Sequence, residues 1–287
     1  MNFFKKLGLF ILIILLSGCN NSSNNMNNIS IYTTTYPINF LIDELYGEHS
    51  KIYSIYPTGV NLDEYELSSR KIEEYSKSDL FIFNSLDKDR DYAVEMINLN
   101  DKLKAIDVST GMKYESAIEE LWLNPNNYLM MAENIREGLA EYIDNPYLVE
   151  EINNNFEKLE YDVSKLDANL TEAILNGKHK TIVVDNDEFN FLEKRGLYVI
   201  SLEENDDLTG IRIQEVEKLI SDGKIKYIYS DSNESNGTVN NLITKYGIEL
   251  IRLNTMHSID GGITNSNDDY ISIMTNNINL LKKELYK

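Results

Sequence analysis

The chain has 287 residues, 42% of them hydrophobic and 10% aromatic, enough to bury a core in one large domain or two of ordinary size. That composition excludes a chain that is disordered throughout. A formal net charge of −20 argues against nucleic acid as a partner, because neutralising phosphates needs a basic surface; it suits solubility or the attraction of cations.

The first element is a leader. MNFFKKLGLFILIILLSGC places Lys5 and Lys6 before an apolar run over 7–16, then Ser17, Gly18 and Cys19. The run is short for a bilayer, so 1–18 is expected to be a signal peptide rather than a transmembrane helix. Leu16-Ser17-Gly18-Cys19 resembles the bacterial lipobox, whose Cys is acylated and becomes the mature N-terminus. The plainer alternative is a signal peptide with a chance cysteine. Cys19 is the only cysteine, so there is no disulfide framework. Residues 19–28, with NNSSNNMNN after the cysteine, are polar and uncharged and read as a flexible tether. The expected arrangement is a body held by a lipid anchor on the outer face of the cytoplasmic membrane, at the cell surface.

From residue 29, short apolar runs alternate with helical patterns. Strands are expected over 29–32, 51–56, 80–84 and 103–108. Helices are expected over 37–46 and 68–76, the latter with Ser68 or Ser69 as N-cap. The run LFIFN reads as a buried parallel strand. Two long helical patterns follow, over 125–142 and 146–176, parted by Asp144-Asn145-Pro146. In the second, Leu148, Ile152, Phe156, Leu159, Val163, Leu166, Leu170 and Ile174 recur at three- and four-residue steps. It should run about 45 Å, as a surface helix or as a rod joining two lobes. After Gly177, strands are expected over 181–184, 197–202, 225–229 and 248–253. Helices are expected over 188–194, 213–221, 237–246 and 270–286. The fold class is α/β, with two βα lobes of parallel sheet (29–144 and 178–287) joined by one long helix (145–177). Ligands in such sheets bind beyond the strand C-termini.

Four strand-end segments carry candidate chemistry: GVNLDEYELSSRKI, AIEELWLNPNNYLMMAENI, VVDNDEFNFLEKRGL and LIRLNTMHSIDGG. Each sets oxygen-bearing side chains beside an aromatic or a proline. Singly they are weak signals, because Asp, Glu and Asn are common where strands end. In this order, with Tyr36-Pro37 after the first strand and SDLFIFN between them, they resemble the metal-binding lipoproteins of ABC importers for zinc and manganese, also described as adhesion lipoproteins. The resemblance runs from about residue 29 to the end. It implies two lobes of the metal-receptor, periplasmic-binding-protein type, a single metal in the cleft, and an ABC permease and ATPase as partners. A monomer is the default for such a delivery protein.

The departures from that family bear on chemistry. Its four metal-ligand positions, carried over residue by residue, fall on Asp63, Glu120, Asn186 and Asn254. None is a histidine, and the chain has only three histidines: His49, His179 and His257. All four positions offer oxygen, and the two carboxylates could balance a divalent charge. Oxygen shells suit Mn²⁺, Ca²⁺ or Mg²⁺, whereas zinc prefers His and Cys. Asp185, Asp187, Asp231 and His257 lie close in the chain and are auxiliary candidates; the bland reading of each is a solvated strand-end residue. Two functions follow. One is capture of a divalent cation, Mn²⁺ or Zn²⁺ by family, for an importer. The other is a degenerate member without metal, acting as a surface adhesin or accessory protein. An enzyme is not expected: there is no G-x-S-x-G, H-E-x-x-H or phosphate-cradling glycine loop, and only the Asp63/Glu120 pair offers a glycosidase-like alternative.

Overall fold

The computed structural model describes residues 26–57, 60, 62, 64–205, 208–231, 235–257 and 269–287. The expected signal peptide, Cys19, most of the tether and Asp63 lie outside the described residues. Strands β1 (Ile29–Thr33), β2 (Ser50–Ser54), β3 (Leu80–Phe83) and β4 (Lys104–Asp107) form one sheet in the order β2-β1-β3-β4. Strands β5 (Thr181–Val184), β6 (Tyr198–Ser201), β7 (Tyr227–Ser230) and β8 (Glu249–Arg252) form a second, in the order β6-β5-β7-β8. Every pairing is parallel. Both sheets reverse their winding beside their first strand, which opens a crevice at the strand C-termini. The all-apolar run of β3 is buried along its whole length, as a strand covered on both faces must be.

The helices are α1 (Tyr36–Tyr46), α2 (Ser69–Tyr75), α3 (Asp89–Leu99), α4 (Glu120–Leu123), α5 (Pro125–Tyr142), α6 (Pro146–Asn176), α7 (Gly210–Ser221), α8 (Gly237–Tyr246) and α9 (Tyr270–Leu285). The two longest start alike. Asn124 and Asn145 accept hydrogen bonds from the main-chain N–H groups of Asn126 (3.3 Å) and Tyr147 (3.0 Å), and a proline occupies the first turn. The apolar stripe of α6 is buried at Leu148, Ile152, Leu159, Val163, Leu166, Leu170 and Ile174. It belongs to one continuous core that reaches Ile31 and Leu80 in the first lobe and Val184, Tyr229 and Leu281 in the second. The long helix is therefore a shared spine. Smaller clusters around Phe81 and Met96, and around Val183 and Val216, cover the other faces of the two sheets.

Two elements differ from expectation. Helix α3 has no counterpart in the sequence reading: its N-cap is Lys88, without a side-chain cap, and among its apolar residues only Ala93 and Met96 are buried. Tertiary packing, not local signal, makes it helical. The segment expected as a helix over 188–194 is a 3₁₀ turn (Asp187–Arg195), closed by Gly196 in the left-handed region (φ +97°).

Helix α5 lies hard against β4. A Cβ at Gly138 would come within 2.7 Å of Ile106 Cγ1. Alanine suits a helix better than glycine by about 1 kcal/mol, but the overlap forces the strand away. Gly138→Ala is expected to lower stability by about 1–3 kcal/mol in urea unfolding; a gain in stability would show that Ile106 yields freely.

Candidate functional site

The segment of α4 and the residues before it reach from the first lobe to the strand ends of the second. Trp122 Nε1 donates to the Thr255 carbonyl after β8 (2.7 Å), and the Tyr270 hydroxyl of α9 donates to the Trp122 carbonyl (2.7 Å); both bonds are buried. Tyr270 also stacks on Tyr128 of α5, with ring centroids 3.8 Å apart. Arg195 pairs with Asp167 of α6 (2.6 Å) and donates to Asn124 (2.7 Å). Lys194 pairs with Glu115 (3.0 Å) and approaches Glu120 (3.6 Å). These contacts fix the AIEELWLNP segment of the first lobe onto the second. They also hold Met256 in the left-handed region (φ +59°), costly for a buried non-glycine residue, immediately before His257.

The result is a largely buried acidic cluster across the lobes. Glu119, 5% exposed, meets His257 Nδ1 at 2.5 Å. Glu188 carries no hydrogen-bond partner on Oε2 among the described residues. Burial, then the charges of Glu119, Asp231, Asp185 and Glu203, push its carboxyl up to about 9. Asp185 is raised to about 6 by burial, offset in part by the Ser230 hydroxyl that donates to it (2.5 Å). Burial also raises Asp231 and Glu203. Asn186 Nδ2 donates to Asp231 Oδ1 (3.0 Å), and Arg252 Nε donates to the Asp231 carbonyl (2.9 Å). A polar cavity of about 440 Å³ opens beside the cluster, lined by Glu115, Asp187, Asn190, Glu203 and Arg212 among others. A group of carboxyls whose ionisation is opposed by burial and by one another is a place where a cation would be welcome.

The positions carried over from the family fare unevenly in this geometry. Asp63 lies outside the described residues. Glu120 is buried, but its carboxylate is taken up by the Glu115 N–H (3.1 Å) and by Lys194. Asn186 stands in the cluster; its oxygen caps the following turn through the Glu188 N–H (3.3 Å). Asn254 spends its oxygen on the Met256 N–H (2.9 Å), and Asn277 holds its main chain at both ends. Of the auxiliary residues, Asp185 and Asp231 act on Glu188, and His257 stands beside Glu119 and Asp231. Asp187 turns to Asn190 (2.9 Å) and Asn205 (3.3 Å) on the cavity wall. Sequence reasoning missed Glu119, Glu188 and Glu203. Among the described residues, no three His, Cys, Asp or Glu side chains stand close enough to hold a metal ion together as they are.

Three comparisons bear on this geometry. The family described as ZnuA, zinc-uptake complex component A, periplasmic, matches residues 31–284. The zinc-binding lipoprotein AdcA of Streptococcus pneumoniae is 23% identical over 295 residues, covering 94% of this chain and 58% of AdcA. The iron-binding protein YfeA of Yersinia pestis is 24% identical over 232 residues, covering 75% of this chain and 73% of YfeA. Among solved structures, the Zn(II)-bound ZnuA-like domain of Streptococcus pneumoniae AdcA superposes with a TM-score of 0.75 at 23% identity, over 91% of this chain and all of that domain. This chain thus spans somewhat over half the length of AdcA, and at this identity the structural likeness speaks for the fold alone.

Proposed function

The chain belongs to the ZnuA family of zinc-uptake components, solute-binding proteins rather than enzymes, and from that premise we propose that it captures a divalent metal ion for an ABC importer. The ion would sit between the lobes in the cluster of Glu119, Glu188, Asp231 and His257, with Asp185 and Asn186 behind them. One observation carries this reading. Carboxyls from both lobes converge in a buried place where burial first, and then the neighbouring acids, push the Glu188 carboxyl up to about 9, and a bound cation would offset both costs of ionising it. The roles of Asp63, Glu120 and Asn254 narrow accordingly. Asp63 remains a candidate from the sequence, while Glu120 and Asn254 support the backbone around the ion.

Carboxylates with a single imidazole suit first-row divalent ions in general, so Mn²⁺ and Fe²⁺ stand beside Zn²⁺ as cargo. The delivery partners would be a permease and its ATPase. Acylation at Cys19 would keep the body beside them on the outer membrane face; among the described residues no helix is long and apolar enough to cross a membrane.

The test is thermal unfolding of metal-stripped protein against a panel of divalent ions. An ion at a hundred times its Kd should add about 2.7 kcal/mol to stability and raise Tm accordingly. If no ion of the panel moves Tm while matched controls behave, the capture reading fails and the adhesin or accessory reading takes its place.

A further inference from the structure

The first lobe holds a second buried polar group, apart from the inter-lobe acids. It lies in the crevice of the first sheet, where the segments leaving β1, β2 and β3 meet the start of α3. Asp89, the first residue of α3, is 1% exposed. The hydroxyl of Tyr56, just past β2, donates to Asp89 Oδ1 (2.6 Å). The Thr34 hydroxyl, next after β1, and the main chain of Asn84, next after β3, stand near enough to hold the carboxyl down against the effect of burial. Thr34, Tyr56 and Asn84 are themselves buried. Such a crevice, at strand C-termini where the winding reverses, is where open α/β sheets take ligands.

Hydrogen bonding within this group is incomplete. Asp89 Oδ2 and Thr34 Oγ1 are buried and have no hydrogen-bond partner among the described residues. The same holds for Oγ1 of Thr35, which stands at the N-cap of α1 without making a side-chain cap. The charge of Asp89 is unmatched as well. Lys88, its neighbour in the chain, spends its ammonium on the carbonyls of Leu62 and Tyr65 (2.9 Å to the latter). Asp87 acts on Asp89 as a like charge. A buried carboxylate lacking both a cation and a full set of donors is costly. A hard cation accepts the oxygens that this group offers, carboxylate and hydroxyl alike. One carboxylate balances one positive charge, and the group contains none of the imidazole or sulfur that softer ions select.

We infer that Asp89, with the hydroxyls of Thr34 and Tyr56, forms a site for a monovalent alkali cation in the first lobe. Sodium, small and hard, is the ion such a shell suits. The bound ion would tie the ends of β1 and β2 to the start of α3. It would thereby brace the segment between β2 and α2, which Lys88 holds at Leu62 and Tyr65. The site is made by the first lobe alone and does not depend on the capture of a divalent ion between the lobes.

Thermal unfolding of the metal-stripped full chain tests it, at pH 8, where a carboxyl raised to about 6 is ionised. Midpoints are compared in about 200 mM NaCl, KCl or choline chloride, which match chloride and ionic strength. Sodium should raise Tm over choline by at least about 3 °C, and the shift should grow with concentration. Asp89→Asn should remove the shift. Thr34→Val keeps the shape and loses the hydroxyl, and should raise the sodium concentration needed for half the effect at least about threefold. Asp91→Asn makes the same charge change at an exposed position of the same helix and should leave the shift intact. Circular dichroism checks the folding of each variant; if Asp89→Asn does not fold, Thr34→Val decides. Equal midpoints in the three salts, or a sodium shift that Asp89→Asn and Thr34→Val leave unchanged, overturn the inference. The unpartnered oxygens would then belong to a buried water or to a proton on Asp89.

Discussion

Metal-free protein is expected to lose stability as the pH rises from about 5 to 9, and Glu188→Gln to abolish most of that loss. The sign follows from the site. Glu188 is raised from 4.5 to about 9, Asp185 from 3.8 to about 6, and the buried Asp89 of α3 from 3.8 to about 6, in each case first by burial. Each group holds its proton to higher pH in the folded chain than in the unfolded one. Between the two pKa values the folded state binds more protons, so stability falls as pH climbs through the window. Below the unfolded values both states are protonated and the effect vanishes. Asp185 and Asp89 act up to about pH 6, whereas Glu188 acts up to about 9, so the part of the slope between pH 6.5 and 8.5 that Glu188→Gln removes is its signature. At pH 8, about 3.5 units above the ordinary glutamate value, its removal should stabilise the metal-free protein by at most about 5 kcal/mol and raise Tm accordingly. Urea unfolding across that range is the measurement. A flat profile in the unsubstituted protein would mean that Glu188 is not held protonated by its buried setting.

The same substitution should act in the opposite direction once metal is added. A divalent ion requires the ionised carboxylate, so binding at pH 7 should release a proton from Glu188, and apparent affinity should rise with pH. Glu188→Gln would then be the more stable protein and the poorer receptor. Such a trade is what a site built for a charged ligand imposes on its empty state.

How much of this was readable beforehand differs between fold and site. LFIFN, TIVV and the α6 stripe declare strands and spine because a buried element needs an apolar pattern of one period, and that pattern lies in the chain itself. Helix α3 lacks one; it is amphipathic only through Ala93 and Met96, and its remaining apolar residues face solvent. In the site, Trp122 marked the right segment, and the structure supplies its physical role as the donor that ties Thr255 and hence His257 across the cleft. The choice between Glu119 and Glu120 was not legible. Adjacent residues entering a helix project about 100° apart, so a motif fixes the segment but not which carboxylate faces the cleft. Glu188 reads as ordinary charge at a turn, and its perturbation arises only when the fold buries it and brings Glu119 from the other lobe. Signals made by two distant segments meeting are absent from either one.

That difference in direction supplies the last expected result. Glu119→Gln should weaken binding of the preferred metal by about 10²–10³-fold, the effect of removing one charge from a buried, mutually compensated set. His257→Gln should weaken it similarly, because His257 shares the contact with Glu119 at 2.5 Å. Glu120→Gln should cost no more than about threefold, since its carboxylate already serves Lys194 and the Glu115 N–H and would be replaced by an amide that keeps the N–H contact. The two neighbouring substitutions differ by one position and carry the same chemical change, so composition, net charge and general stability cancel between them. Competition of metal-stripped variants against a chelator of known affinity gives the ratio directly. If Glu120→Gln proves the costly one, the ion lies at the positions set by family alignment, and the inter-lobe acids around Glu188 only tune its surroundings.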